Sequence, residues 1–156
     1  METSKTLQKW NHVAEIQLIY KTKVKASERP YIKSSKTVYQ LALQCWNPDT
    51  IEFFEEFKIL LLNQSNRVLG MYEVSSGGIA GTSVDLRMIF AAALKANAVS
   101  IIMIHNHPSG QVKPSEADMQ ITRKVREAGK IMDITLMDHL IITQETYYSF
   151  VDEGAL

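Results

Sequence analysis

The sequence has little cysteine, no net charge and no long apolar run, and each absence excludes a class of protein. Cys45 is the only cysteine in 156 residues, so neither an internal disulfide nor a cysteine-based zinc site can form. Lysine plus arginine and aspartate plus glutamate number 17 each, which gives no overall bias towards nucleic acid or membranes. Residues 1–5 contain no apolar segment, and no stretch reaches the roughly 18 apolar residues of a membrane span. We therefore expect a cytoplasmic protein.

The remaining composition is that of a globular protein, with 46% hydrophobic and 22% charged residues. At this length one domain with a proper hydrophobic core is expected. Residues 13–20 are β-prone and partly alternating, and residues 21–30 form a basic connection that is interpreted as a solvated loop, with a nucleic-acid contact as the alternative. Residues 1–35 are thus expected to be an N-terminal strand and this connection, ahead of a domain at 36–156.

Helices and strands both occur in the predicted domain. Ser34 or Ser35 can cap a helix that runs to residue 46, on which Cys45 is expected to be a small core residue. Residues 57–62 and 68–74 flank the turn 63–66 and predict a β-hairpin. After a glycine-rich loop at 75–81, a helix is expected to begin at Asp85 and end near Asn97. Its core-facing residues are expected to be Met88, Ile89, Ala92 and Leu94.

The last third of the chain predicts one more helix and the rest of the sheet. A helix is expected from Ser115 to Gly129, because glycine is the usual residue just after a helix end. Strands near 134–137, 140–143 and 147–151 complete the pattern. The sum is a mixed α/β layer fold.

The most informative residues are an H-x-H-P motif at 105–108 and an S-x-x-D motif at 115–118. The apolar run at 100–104 is typical of a strand buried on both faces. Because side chains two apart on a strand share a face, His105 and His107 can converge on one ion where that strand ends. Asp118, in the first turn of the next helix, can supply a third ligand. Zinc in hydrolytic sites takes three protein ligands and leaves one position for water, so the set predicts one Zn²⁺ per chain.

Each of these residues also has a structural interpretation. A single histidine is more often a core or surface residue than a ligand. Ser115 and Asp118 match a capping box, in which Asp118 bonds backbone amides. Two histidines that end a buried strand have no obvious structural purpose, however, and the combination favours a metal site.

The combined pattern resembles the JAMM motif of JAB/MPN metalloproteases, and more closely their bacterial RadC-like branch. The similarity spans about residues 36–156 and rests on HNHPSG at 105–110, KPSEAD at 113–118 and DHLIIT at 138–143. It implies the JAB/MPN fold, a curved mixed β-sheet with flanking helices, similar to that of cytidine deaminases. Deaminase chemistry itself does not fit, because the sequence has neither H-x-E nor C-x-x-C. Longer RadC proteins carry an N-terminal helix-hairpin-helix, which residues 1–35 do not resemble.

The resemblance also implies roles for residues outside the ligand set. Glu56 matches the upstream glutamate of the family, and the chemistry requires a base that is not itself a ligand. Glu55 is the alternative base, since a one-residue slip in register exchanges the two faces of a strand. The structural alternative is that these glutamates form a solvated acidic patch with no catalytic role. The family pattern gives Ser115 a part in stabilising the oxyanion, besides its helix cap. Asp138 and His139 are interpreted as a pair or as a turn before the last hairpin, because three ligands are already assigned.

Together these features predict a zinc metallopeptidase-type hydrolase that attacks an amide or isopeptide bond of an extended peptide or protein. In this mechanism Glu56 takes the proton of the zinc-bound water, while zinc and Ser115 stabilise the oxyanion. A non-catalytic JAB/MPN scaffold is one alternative, but every ligand and the glutamate are present. A DNA-repair accessory protein is the other, and the balanced charge gives it no support.

Overall fold

The computed structural model of the chain describes residue 14, residues 16–77 and residues 83–156. The strands are β1 (Glu56–Leu62), β2 (Val68–Ser76), β3 (Ser100–Asn106), β4 (Thr135–Ile142) and β5 (Tyr147–Ser149), and the helices are α1 (Ser35–Cys45), α2 (Leu86–Lys95) and α3 (Glu116–Met132). The five strands form one mixed sheet in the order β2-β1-β3-β4-β5, which confirms the predicted α/β class. None of the described helices is long and apolar enough to cross a membrane.

The central strand of the sheet is β3, and it carries the first histidine of the motif. It pairs antiparallel with β1 and parallel with β4, and all seven of its residues are buried. A parallel pair needs a long crossover connection, which α3 provides between β3 and β4. β1 and β2 form the predicted hairpin around the turn at 63–66.

Alternation along the strands produces two hydrophobic cores, one on each face of the sheet. Phe57, Ile59 and Met103 pack with α2 and α3 on one face. Leu60 and Ile102 pack with α1 on the other face. The end of β3 thus lies between two helical layers, with the helix that carries Asp118 on the first face.

The structure confirms helix α1 but corrects the place of Cys45. Ser34 caps the helix, because its side chain accepts a hydrogen bond from the N–H of Thr37. Cys45 is exposed although its spacing puts it on the helix face of the buried Val38 and Ala42, and it is the last residue of the helix.

Helix α2 begins after the Asp85 cap as predicted, and Ile89 and Ala92 pack in the core as expected, whereas Met88 and Leu94 do not. Met88 is 43% exposed and Leu94 is 54% exposed. The buried residues are Ile89, Phe90 and Ala93, at the i, i+1, i+4 spacing of one helix face. The helix ends at Lys95, two residues before the predicted Asn97.

Helix α3 continues past Gly129, where its end was predicted. It ends at Met132 and is capped by Asp133, which adopts the left-handed conformation with a φ of 53°. Gly129 is required for a different reason, because the carbonyl oxygen of Ile134 occupies the place that a Cβ at this position would take. The glycine therefore marks the close approach of α3 to the start of β4.

The two strands predicted at 134–137 and 140–143 are a single strand, β4. Asp138 and His139 consequently lie in the middle of a strand, and the predicted turn at this place is wrong. A β-bulge shifts the register between Leu136 and Asp138, where two steps along β4 match one step along β3.

The N-terminal strand and the glycine-rich loop were predicted where the structure is only partly described. Of residues 13–20, positions 13 and 15 lie outside the described residues, and residues 16–24 form no strand. Ile16 is 84% exposed and Leu18 is 82% exposed, because this segment makes no ladder with the sheet. In the loop, residues 75 and 76 belong to β2, Gly77 has a φ of 110°, and residues 78–82 lie outside the described part.

Candidate metal centre

The two motif histidines meet at the carboxyl end of β3. His105 is fully buried and lies opposite Phe57 of β1, with the two ring centroids 5.6 Å apart. His107 follows the strand, and the Nε2 atoms of the two histidines are 3.0 Å apart. The i, i+2 spacing thus brings both imidazoles to the same side of the chain, as predicted.

Asp118 reaches the histidines from the first turn of α3. The N–H and the hydroxyl of Ser115 donate to Asp118 Oδ2 at 2.7 and 2.8 Å, and the Asp118 N–H donates to Ser115 Oγ at 3.1 Å. The same carboxylate places Oδ1 3.1 Å from His105 Nε2 and Oδ2 3.5 Å from His107 Nε2. The capping box and the metal-ligand interpretation are therefore compatible, because the cap fixes the carboxylate where the histidines meet.

The donor set fits zinc in chemistry and in spacing. The ligand atoms of His105, His107 and Asp118 all lie within 4.8 Å of one another. Two ligand atoms about 2.0–2.1 Å from a tetrahedral Zn²⁺ lie about 3.3 Å apart, which is close to the separations in this cluster. Nδ1 of His107 donates to the carbonyl of Gln111 at 2.7 Å, so the lone pair of the neutral His107 ring is on Nε2, the atom that faces the cluster.

The charges around the cluster favour an ionised Asp118. Burial alone raises the pKa of Asp118, but hydrogen bonds from His105 and His107, which form when Nε2 of these rings carries a proton, lower this pKa well below its ordinary value. Burial alone lowers the pKa of His107, yet the bonds to Asp118 and to the Gln111 carbonyl, with the negative charges of Asp118 and Glu55, raise it overall. An ionised carboxylate is the form that binds a metal ion.

Glu56 lies on the opposite face of the sheet from the cluster. Phe57 shares the face of His105, so the neighbouring Glu56 side chain points to the other face. Its Oε2 accepts the hydroxyl proton of Thr50 at 3.0 Å, and its Oε1 lies 3.5 Å from Nζ of the buried Lys58. The structure therefore does not bring Glu56 to the histidines, and the sequence-based register is off by one residue.

Glu55 precedes Glu56 and lies on the face of the histidines. It is half-buried, and its carbonyl accepts the N–H of Gly77 at 3.0 Å, which extends the β1–β2 ladder by one residue. The negative charge of Glu55 is also one of the causes that raise the pKa of His107. The alternation of side chains thus puts Glu55, and not Glu56, on the face of the three candidate ligands.

Asn106, between the two histidines, holds the segment that carries the two glutamates. Its Nδ2 donates to the carbonyls of Ile51 and Phe54 at 2.7 and 2.9 Å, and its Oδ1 accepts the N–H of Glu56 at 2.7 Å. Its side chain points to the face opposite to His105, as strand alternation requires. Sequence reasoning missed this role, although the position of an amide between two candidate ligands was a signal.

Asp138 and His139 do not form the side-chain pair that the sequence predicts. Asp138 Oδ1 accepts the N–H groups of His139 and Val151 at 2.7 and 3.1 Å, and Oδ2 accepts the hydroxyl of Ser149 at 2.6 Å. The His139 ring instead contacts the ring of His105. Complete burial lowers the pKa of His139 well below its ordinary value, so this imidazole is neutral at pH 7.

The sequence of residues 32–155 matches the model of the RadC-like JAB domain. The chain belongs to the RadC-like JAB domain family. The mixed five-stranded sheet with three helices is consistent with the JAB/MPN fold that the resemblance implied. The cluster of His105, His107 and Asp118 lies within the matched residues of this RadC-like JAB domain, as do Glu55 and Glu56.

Curated proteins similar to this RadC-like JAB domain include several UPF0758 proteins. A UPF0758 protein of Flavobacterium johnsoniae is 55% identical over 100 residues, which cover 64% of this chain and 44% of that protein. A UPF0758 protein of Porphyromonas gingivalis is 48% identical over 103 residues, which cover 65% of this chain and 45% of that protein. A UPF0758 protein of Pelobacter propionicus is 43% identical over 102 residues, which cover 65% of this chain and 44% of that protein. The alignments thus span less than half the length of these relatives, and their names state no activity.

Proposed function

We propose that this RadC-like JAB domain is a zinc-dependent hydrolase of the JAMM type, which cleaves an amide or isopeptide bond. The convergence of His105, His107 and Asp118 carries the proposal. Two imidazole nitrogens and a carboxylate, 3.0–3.5 Å apart, are a three-ligand set that leaves a fourth position for water. Zinc held by these residues would supply a Lewis acid that lowers the pKa of water to about 7.

Glu55, and not Glu56, is the proposed general base. Its carboxylate takes a proton from the attacking water and then gives a proton to the amine, which leaves readily only when protonated. The charge of Glu55 acts on His107, whereas the carboxylate of Glu56 is engaged by Thr50 and Lys58 on the other face.

Ser115 is proposed to stabilise the oxyanion in addition to capping α3. Its hydroxyl has one proton, which it donates to Asp118 Oδ2 at 2.8 Å. Oxyanion stabilisation therefore requires the hydroxyl to turn away from Asp118 when the carbonyl is attacked. The backbone N–H of Ser115 keeps the carboxylate in place during this rotation, because it also donates to Oδ2.

The proposed substrate is a peptide or protein and not a nucleic acid. Phosphodiester hydrolysis more often uses two metal ions about 4 Å apart, and the described ligand cluster provides for one. The chain also has equal numbers of basic and acidic residues. A water attacking a carbonyl beside one metal and one carboxylate base is the chemistry that this set of groups supports.

The matched variants Glu55→Gln and Glu56→Gln test the proposal. Both remove one negative charge from adjacent residues, but only Glu55 faces the histidines. We expect Glu55→Gln to keep its zinc and to lose about 10²–10⁴-fold in the rate of peptide cleavage, because glutamine cannot accept the proton of water. Glu56→Gln should keep both zinc and activity per folded molecule. Zinc content and the cleavage of a peptide library by zinc-loaded protein are the measurements.

Three results would contradict the proposal, each at a different point. Wild-type protein that takes up no zinc in a titration would remove the metal centre. Loss of activity in Glu56→Gln, with Glu55→Gln active, would reverse the assignment of the base. Zinc-dependent cutting of single- or double-stranded DNA, with no peptide cleaved, would overturn the substrate class.

A further inference from the structure

A chain of buried hydrogen bonds links the backbone of α3 to His105 through two side chains that the proposed mechanism does not use. The Thr122 hydroxyl lies 2.6 Å from the carbonyl oxygen of Asp118 and 2.7 Å from Nδ1 of His139. Nε2 of His139 lies 2.8 Å from Nδ1 of His105. Thr122 is 3% exposed, and both histidines are fully buried.

The direction of each proton in this chain is assigned from its α3 end, where the Asp118 carbonyl can only accept. The Asp118 carbonyl has no hydrogen, so the Thr122 hydroxyl donates its single proton to it. Thr122 Oγ1 then accepts from Nδ1–H of His139. A neutral imidazole with its proton on Nδ1 has a lone pair on Nε2, so His139 accepts from Nδ1–H of His105. His105 is left with its lone pair on Nε2, the atom that faces His107 and Asp118.

We propose that Thr122 and His139 are positioning residues, which hold His105 in the tautomer whose Nε2 lone pair is ready for a metal ion. The inference rests on the proposed metal centre, and it explains how one of the ligands, His105, is oriented before a metal ion binds. Metal-binding histidines usually donate their second ring N–H to a carbonyl, a carboxylate or water, which fixes the tautomer. The Gln111 carbonyl does this for His107. For His105 the acceptor is the imidazole of His139. This ring can accept at Nε2 because its Nδ1–H donates to Thr122, which fixes the proton on Nδ1.

Packing keeps the His139 ring in the orientation that this role needs. Phe150 stacks on His139 with ring centroids 4.6 Å apart and an interplanar angle of 13°, and the Phe57 ring lies 5.7 Å away. The N–H of His139 is held by Asp138 Oδ1 at 2.7 Å, which fixes the backbone from which the ring projects. The DHLIIT motif thus supplies the positioning imidazole and the carboxylate that anchors it.

The Thr122→Val and Thr122→Ser variants test the inference at a residue whose side chain does not bind the metal. Valine has nearly the shape of threonine but lacks the hydroxyl, whereas serine keeps the hydroxyl. We expect Thr122→Val to bind zinc more weakly by a factor of about 10–100, the usual loss when a partner of a metal ligand is removed. Thr122→Ser should bind zinc like the wild type. Zinc affinity is measured by competition with a chromophoric chelator.

The metal-free protein gives a second readout that needs neither zinc nor activity. Proton–nitrogen NMR correlations of the imidazoles should show His105 of the wild type and of Thr122→Ser protonated on Nδ1 alone. In Thr122→Val they should show a mixture of the two tautomers. His139→Phe should lose zinc affinity as Thr122→Val does, and His139→Gln should restore part of it, because the glutamine amide can accept from His105 and donate to Thr122.

The outcomes separate this inference from the proposed function. Equal zinc affinity and equal His105 tautomers in Thr122→Val and the wild type would overturn it. An equal loss of zinc affinity in Thr122→Val and Thr122→Ser would also overturn it, if this loss is proportional to the loss of unfolding free energy in the metal-free variants. Such a result would indicate that Thr122 acts through packing alone. Wild-type protein that binds no zinc would refute the metal centre, while mixed tautomers of His105 in the wild type would refute the positioning role by themselves.

Discussion

Replacing Asn106 by alanine should cost a large part of the stability of the domain. The change leaves three main-chain groups without a partner: the carbonyls of Ile51 and Phe54 and the N–H of Glu56. A buried polar group that loses its partner costs about 1–3 kcal/mol. Water that enters the space of the lost amide can satisfy part of this set, so we expect a loss of about 3–5 kcal/mol in unfolding free energy, out of the ~5–15 kcal/mol typical of a whole domain.

Urea unfolding of the metal-free protein measures this loss without any contribution from zinc. Asn106→Asp should be no more stable than Asn106→Ala, because its Oδ1 still accepts from Glu56 but its second carboxylate oxygen faces the two carbonyl oxygens in a buried place. Asn63→Ala is the matched control, since Oδ1 of Asn63 accepts the N–H groups of Ser65 and Arg67 in the half-exposed hairpin turn. We expect it to cost about 1 kcal/mol. An Asn106→Ala variant no less stable than Asn63→Ala would refute the reasoning.

Three further substitutions test single features of the fold and of the metal centre. Gly129→Ala puts a Cβ where the Ile134 carbonyl lies, so we expect a net loss of about 1–3 kcal/mol in unfolding free energy despite the better helix propensity of alanine. Thermal unfolding measures this loss, and a gain in stability would show that the α3–β4 connection can move freely. Asp118→Asn should weaken zinc binding by more than the ~10–100-fold expected for a residue that only supports a ligand, and its circular dichroism spectrum should match that of the wild type. Unchanged zinc affinity would remove Asp118 from the ligand set. Ser34→Ala should lose about 1 kcal/mol through its helix cap, and no loss would mean that water serves Thr37 equally well.

Much of the sheet and of the ligand cluster was predictable because both depend on local periodicity. The buried run before His105 predicted β3, and the spacing of two predicted the shared face of His105 and His107. Side-chain chemistry at helix starts also predicted well, since Ser34, Asp85 and Ser115 all cap the helices that follow them.

The failures concern choices that only packing across the sheet decides. Glu55 and Glu56 have the same side chain, and the ladder between β1 and β3 determines which of them faces His105. The polar pair at 138–139 suggested a turn, because the sequence does not show that His105 and Thr122 lie opposite His139. Gly129 suggested a helix end, although its small size serves a contact with residues that follow the helix.

The triplet at 105–107 ties two separate tasks to one rigid stretch of backbone. The side chains of His105 and His107 lie on the face of the sheet where Asp118 approaches. The side chain of Asn106, between them, lies on the other face and binds the segment that contains Glu55. Inserting or deleting one residue here would turn the imidazoles towards the α1 core and the amide towards Asp118, so the proposed metal binding and the proposed proton transfer would be lost together. Natural length changes in this domain should therefore collect elsewhere, for example at the exposed hairpin tip of Gln64 and Ser65 at the opposite end of the sheet.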